Sequence, residues 1–302
     1  MVYLPHTLKK ISDMSTVITQ SSLQAYNSCP QLYEHKYVAP YMRPMTLSSA
    51  LTLGSAFHYG IEVGGADDAG NYLLDYHGPC WTQQEKDSLA LQVATVVAMV
   101  GGALSMWSDW PDRQEVEFTL PLINPSTGRK SSKHVFRGKL DGLSEGVVWE
   151  WKTTARLDSA YLDRLKLDFQ VSAYMAAATL ITGKPVRKSI YRIVRKPSIK
   201  KRQNETVSEY AERLYEDYQN RPEFYFHQEI VTRTESQMDR WKREAWEIHK
   251  RILDIENGAL PIRNTRHCTH FGRCSFLALC SEQVGPESYR VLRNPHPELE
   301  EG

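Results

Sequence analysis

The stretch Gly138–Lys–Leu–Asp141–Gly–Leu–Ser–Glu–Gly–Val–Val–Trp–Glu150–Trp–Lys152 holds residues able to do chemistry together. A turn at Ser144, Glu145 and Gly146 folds it into a hairpin, bringing Asp141 on one strand near Glu150 on the next. Side chains at i and i+2 of a strand share a face, so Glu150 and Lys152 project together while Trp149 and Trp151 point away to pack. Two carboxylates and an ammonium on one surface suit phosphodiester hydrolysis. Carboxylates and phosphate oxygens hold a hard cation such as Mg²⁺, and the cation acidifies water and offsets developing charge. A lysine beside it positions or deprotonates the attacking water, or stabilises the phosphate. An exposed hairpin with a cross-strand Glu–Lys pair has the same spacing, so the neighbours carry the weight.

Those neighbours are His58, in Gly54–Ser–Ala–Phe–His58, and the pair Gln170 and Tyr174. The pair stands at i and i+4 and so shares one face of a helix. Taken singly, a packed histidine and a polar helix edge explain them. In chain order the four elements form a narrower signal. A second constellation is Cys268, Cys274 and Cys280, with His267 and His270 nearby and Cys29 before Pro30 far upstream. Thiolates bind soft or borderline metals, and four is the usual complement of an iron–sulfur cluster. The spacing is not the Cys-x-x-Cys pair of a zinc ribbon. Zinc, with His267 or His270 substituting, and free buried thiols stay open as alternatives. Cys80 is expected to be a packed thiol.

The elements that must position these residues follow from periodicity. Residues 21–37 read as a helix capped by Thr16 or Ser21, and 54–63 as a second helix followed by a glycine-rich loop through Gly70. A helix is expected over 83–107, then strands over 115–123, 134–143 and 147–152. Residues 158–182 read as one helix ended by Gly183 and Pro185. A strand (189–194), a basic loop, a helix (208–219), a strand (224–231) and a helix (236–257) complete a mixed α/β pattern. Residues 89–107 carry no charge and approach the length of a bilayer span. Gln92, Thr95 and Ser105 dilute the apolarity, and Asp87 and Asp109 flank it instead of basic anchors, so a buried core helix is expected and no membrane.

The chain has 302 residues and a formal charge of +1, so a nucleic-acid surface has to be a local patch. The densest candidate is Arg195, Lys196, Lys200, Lys201 and Arg202, with Arg240, Lys242, Arg243, Lys250 and Arg251 on the long helix. Aromatic residues near the site suit stacking on unpaired bases. The absence of a base-reading module argues against a sequence-specific restriction enzyme. With five cysteines and no signal-peptide pattern, a reducing cytoplasmic setting is expected, the host's if phage-encoded.

In this order the motifs resemble the RecB-like branch of the PD-(D/E)XK nucleases, which includes CRISPR-associated RecB-like exonucleases and bacteriophage enzymes. The Gly-x-x-x-His, aspartate, acid-x-Lys and Gln-x-x-x-Tyr motifs fall on His58, Asp141, Glu150–Lys152 and Gln170–Tyr174, and the resemblance spans residues 21–280. It implies a restriction-endonuclease-like core, a mixed central β-sheet flanked by helices, with the terminal segments joined by a cysteine cluster. His58, Asp141, Glu150 and the Trp151 carbonyl would ligate Mg²⁺ or Mn²⁺, and Lys152 would serve the water. Gln170 and Tyr174 would hold DNA or the site's geometry. Glu115 or Glu117 could add an outer carboxylate. One upstream and three downstream cysteines match the branch's [4Fe–4S] arrangement as Cys29, Cys268, Cys274 and Cys280. The implied organisation is an N-terminal helical region (1–110), a nuclease core (111–235) and a C-terminal helix with the three-cysteine segment (236–302). The expected function is a metal-dependent DNA exonuclease, with endonuclease activity in view, in phage-type recombination, repair or processing. Its substrate would be DNA with free ends or single-stranded regions, and a recombination or replication protein its partner. The competing class is a non-catalytic DNA-binding or assembly subunit.

Overall fold

The computed structural model describes residues 17–42, 50–77, 82–270, 272–296 and 299. The chain runs through β1 (Val17–Ile18), α1 (Gln20–Ser28), α2 (Pro30–Tyr33), a π-helical turn (Glu34–Val38), β2 (Tyr41–Met42), α3 (Ala50–Val63) and α4 (Ala66–His77). Next come α5 (Gln83–Met106), β3 (Arg113–Ile123), β4 (Lys130–Ser144), β5 (Val147–Thr154), α6 (Ser159–Leu165) and α7 (Phe169–Thr182). Then follow β6 (Lys188–Arg195), α8 (Val207–Asn220), α9 (Pro222–Tyr225), β7 (Phe226–Thr232) and α10 (Glu235–Glu256). Short elements α11 (His267–His270), α12 (Leu277–Cys280) and β8 (Arg290–Val291) close it. The sheet has the order β1-β4-β5-β6-β7, with β3 on β4. Its β1–β4 and β5–β6 pairs are parallel and its β4–β5 and β6–β7 pairs antiparallel. This is the expected α/β architecture, a mixed sheet flanked by helices.

Contacts divide the chain into two units, one of residues 1–45, 117–138 and 235–302, the other of 46–116 and 139–234. In the first, α10 buries Met238, Trp241, Ala245 and Ile252. Its His249 meets His134 edge-on, ring centroids 5.3 Å apart. His134 Nε2 lies 2.9 Å from Glu256, and Ser131 Oγ lies 3.1 Å from His249 Nε2. In the second, α3, α4, α5 and α8 share a core with Trp151, Val194 and Phe226. Helix α5 is long and apolar enough to cross a bilayer, but Val96, Met99, Val100 and Ala103 are buried in that core, as a core helix requires.

Several boundaries differ from the sequence reading. The helix expected over 21–37 is broken at Cys29, which is extended (φ −167°) before Pro30 at the first turn of α2. Its cap is Thr19, whose hydroxyl accepts from Ser22 N–H; Thr16 and Cys80 lie outside the described residues. The expected glycine-rich loop is helix α4. A Cβ on Gly60 would sit 2.6 Å from Ala69 Cβ, and one on Gly70 3.1 Å from Val97. These glycines let helices approach; they do not break them. The helix expected over 158–182 is two, because Asp158 and Asp168 each cap a new start, accepting from Tyr161 N–H at 2.9 Å and Val171 N–H at 3.0 Å. The guanidinium of Arg233 ties the turn, donating to the carbonyls of Leu165 and Asp168. Residues 222–225, read partly as strand, form the turn α9 begun by Pro222.

Two outcomes are expected. Gly60→Ala destabilises the protein by about 1–3 kcal/mol through overpacking. By contrast Gly54→Ala, whose Cβ meets nothing within 4 Å, stabilises by about 0.5–1 kcal/mol; paired thermal melts decide. Burial, then His134, depresses His249 from 6.5 to about 4. Between those values the unfolded chain binds a proton that the native state refuses, so stability falls as pH drops from 6.5 towards 4. His249→Gln flattens that slope in denaturant titrations across the window.

Candidate active site

The hairpin is built as its period-2 pattern requires. Gly142 pairs with Trp149 and Ser144 with Val147, and Gly146 takes the left-handed turn position at φ +75°. One step further along this register, Asp141 stands opposite Glu150. Asp141 Oδ2 accepts the Trp151 backbone N–H at 2.7 Å. Lys152 Nζ pairs with Glu150 Oε1, and Gln170 Nε2 donates to the same oxygen at 3.0 Å and to Tyr174 OH at 2.9 Å. Glu150 is 1% exposed. Burial first, and Asp141 next, push its carboxyl well above the usual range against the pull of Lys152. Burial pulls Lys152 down, but Glu150, Asp141 and Tyr174 outweigh it and the ammonium keeps its proton.

The other face of β5 is locked. Arg192, fully buried, pairs with Trp151 across β5 and β6. Its guanidinium lies 4.8 Å from the Trp107 ring, 4.7 Å from Trp149 and 5.0 Å from Trp151. It also donates to the Asp109 carbonyl at 2.7 Å and to Gln228 at 2.8 Å.

His58, on α3, places Nδ1 3.6 Å from Asp141 Oδ1. Burial lowers its pKa more than Asp141 raises it, which keeps the imidazole neutral, and it hydrogen-bonds the Trp151 backbone. Glu115 completes a group. One ligand atom each from His58, Glu115 and Asp141 lie within 4.8 Å of one another. Glu115 also pairs with Lys139 at 2.5 Å, and burial lifts its carboxyl to about 7. Its backbone is left-handed, φ +48°, a strained conformation for a residue with a Cβ and one that concentrates at functional sites. Glu117 points to solvent. The sequence offers both glutamates equally; the structure places Glu115 beside His58 and Asp141 and leaves Glu117 exposed.

Arg195 pairs with Thr154 one strand over, on the sheet face of Lys152, and its guanidinium stacks on Phe224 at 4.1 Å. Lys196 follows, and burial lowers its pKa. Lys200, Lys201 and Arg202 continue into a segment fastened by Glu205, which accepts Arg202 N–H at 2.8 Å and holds Arg213. No contact between these three and the carboxylates occurs among the described residues.

Cys29, Cys268, Cys274 and Cys280 are free thiols lining one cavity of about 240 Å³. Cys29 Sγ accepts Asn264 N–H at 3.3 Å, while Asn264 Nδ2 donates to the Ser28 carbonyl at 2.8 Å. Burial, then Cys274, Cys29 and Cys268, raise the Cys280 thiol. His267 lines the cavity and His270 does not. Four sulfur donors suit a thiophilic metal group.

A family model for the PD-(D/E)XK nuclease superfamily matches residues 17–281. The chain belongs to that superfamily. No curated protein matches it. The crystal structure of a "putative exonuclease" from Eubacterium rectale is similar, with a TM-score of 0.54 and 15% identity over 98% of this chain and 96% of that one. At that identity the likeness is one of fold.

PD-(D/E)XK nucleases typically use divalent metals, and these residues fit one. The donors are carboxylates and a neutral imidazole. Glu150 Oε2 is buried without a hydrogen-bond partner among the described residues. Crowded carboxylates raise one another's proton affinity, a repulsion that a cation removes. Glu115→Gln is expected to weaken Mn²⁺ binding about 10–100-fold, read by calorimetry, whereas Glu117→Gln leaves it unchanged.

Proposed function

We propose that the protein is a Mg²⁺- or Mn²⁺-dependent DNA exonuclease of the RecB-like branch, acting on DNA ends or unpaired strands in recombination, repair or processing. The observation that carries this reading is the convergence of Asp141, Glu150 and Lys152 on one face of the β4–β5 hairpin, with Asp141 fixed by the Trp151 amide. His58, Asp141, Glu150, the Trp151 carbonyl and Glu115 would hold the cation. When bound, that cation supplies acidification of water and charge compensation at the phosphate.

The chain's own residues do the rest. Lys152, held against Glu150, positions the attacking water or donates to a phosphate oxygen. Gln170, bonded to both Glu150 and Tyr174, orients the carboxylate and does not read bases. Arg195, with its plane set by Phe224, offers a guanidinium fork to a neighbouring phosphate. Lys196, Lys200, Lys201 and Arg202 would extend that track. Cys29, Cys268, Cys274 and Cys280 hold a [4Fe–4S] cluster with a structural role. The four thiols lining one cavity support this reading.

End-labelled single- and double-stranded DNA incubated with Mg²⁺ or Mn²⁺ tests the reading. Degradation is expected, stopped by chelation. Asp141→Asn, Glu150→Gln and Lys152→Ala should each slow it by roughly 10²-fold or more without loss of DNA binding by Lys152→Ala beyond a few-fold. Wild-type protein that binds DNA but cleaves neither substrate would identify a non-catalytic subunit instead.

A further inference from the structure

The nuclease face carries a second ammonium with no assigned role. Lys139 lies two residues before Asp141 on β4, so their side chains share one face of the sheet. Its Nζ lies 2.5 Å from Oε2 of Glu115, the glutamate grouped with His58 and Asp141. Lys139 and Lys152 both act electrostatically on the His58 imidazole. Glu115 comes from β3 and Glu150 from β5, and both strands pair with β4. The Lys139 side chain is 34% exposed against 16% for Glu115, so the pair opens to solvent from the ammonium's end. A divalent ion held by His58, Glu115 and Asp141 would neutralise the same carboxylate and repel the ammonium. The lysine stem is flexible and its charge compact, and its open side is where a DNA backbone would arrive.

We propose that Lys139 is a further DNA-binding residue, exchanging Glu115 for a backbone phosphate when the divalent ion occupies the site. The inference rests on the nuclease reading above and deepens it, because metal binding and DNA binding become coupled through this ammonium. Each lysine that neutralises a phosphate releases counterions from the DNA and steepens the salt dependence of binding. While Lys139 neutralises Glu115 it makes no such contribution. It contributes once the ion has taken the carboxylate. A lysine that only braces Glu115 would leave the salt dependence of DNA binding the same with and without metal.

DNA binding is measured by fluorescence anisotropy across a range of salt concentrations, once with EDTA and once with a fixed low concentration of Mn²⁺. The parent is the full-length Lys152→Ala protein, whose slow cleavage leaves the DNA intact during the measurement. It is compared with the same protein carrying Lys139→Gln, Lys139→Met or Lys139→Arg. Glutamine keeps an N–H for Glu115 and methionine keeps only the stem, so either neutral variant suffices if the other does not fold. With Mn²⁺, the neutral variants are expected to bind several-fold more weakly, with a slope of log K against log salt shallower by about 0.9 on duplex or about 0.7 on single strands. With EDTA their slopes are expected to coincide with the parent's, and Lys139→Arg to follow the parent throughout. Parent slopes in the neutral variants with Mn²⁺ would overturn the proposal. So would a deficit of equal size with EDTA, since Lys139 would then meet DNA without any exchange. A parent that binds no DNA overturns it together with the nuclease reading. The expected slopes beside a wild-type protein that cleaves nothing would instead sink the nuclease reading alone.

Discussion

Charge crowding between Asp141 and Glu150 governs the nuclease unit. Facing carboxylates on adjacent strands repel, and burial of Glu150 removes the water that would screen them. Every nearby feature answers that repulsion. The Trp151 amide takes one Asp141 oxygen, Lys152 and Gln170 share one Glu150 oxygen, and the other has no donor among the described residues. A buried acceptor left open costs free energy unless something completes it. The site's chemistry therefore lies in what the protein does not satisfy.

Holding two like charges together requires a backbone that cannot relax. The reverse face of β5 supplies it, where Trp149 and Trp151 close on Arg192 with Trp107. A buried guanidinium is itself costly, but the Asp109 ion pair, two further donations and the aromatic faces compensate it. The two faces of one strand thus carry opposite tasks. Residues 149 and 151 fix the strand, while 150 and 152 are presented from it. Shifting the register by one residue would exchange them, and with both faces this specialised, register is tightly specified.

What was legible in the sequence was whatever depends on spacing within one element. Period-2 alternation and a Ser–Glu–Gly turn were enough to place Asp141 opposite Glu150, and the i, i+4 pair Gln170 and Tyr174 meets as a helix face must. Glu115 was legible only as one of two glutamates, because its selection depends on a left-handed backbone that no residue type announces. Gly70 misled for a related reason. The same absence of a Cβ serves a loop or a close helix contact, and the partner across the contact, Val97, decides which. Cysteine composition pointed to a metal, but nothing in the spacing around Cys268 said that His35, far away in sequence, would lie against Cys280.

The two candidate centres also differ in how they can form. The hairpin carboxylates come from residues only nine positions apart, 141 and 150, so local strand pairing assembles most of the hard-ligand site before distant contacts exist. The cysteine cavity needs residue 29 to meet residue 268, a closure that costs roughly 5 kcal/mol of chain entropy by the logarithmic law. Asn264 lowers the remaining freedom by clamping Ser28 and Cys29 directly. Local assembly explains why a single short motif can carry the chemistry. Distant closure explains why the soft-ligand centre is surrounded by so many orienting groups: its four sulfurs must be brought together by packing and hydrogen bonds that the intervening sequence does not provide.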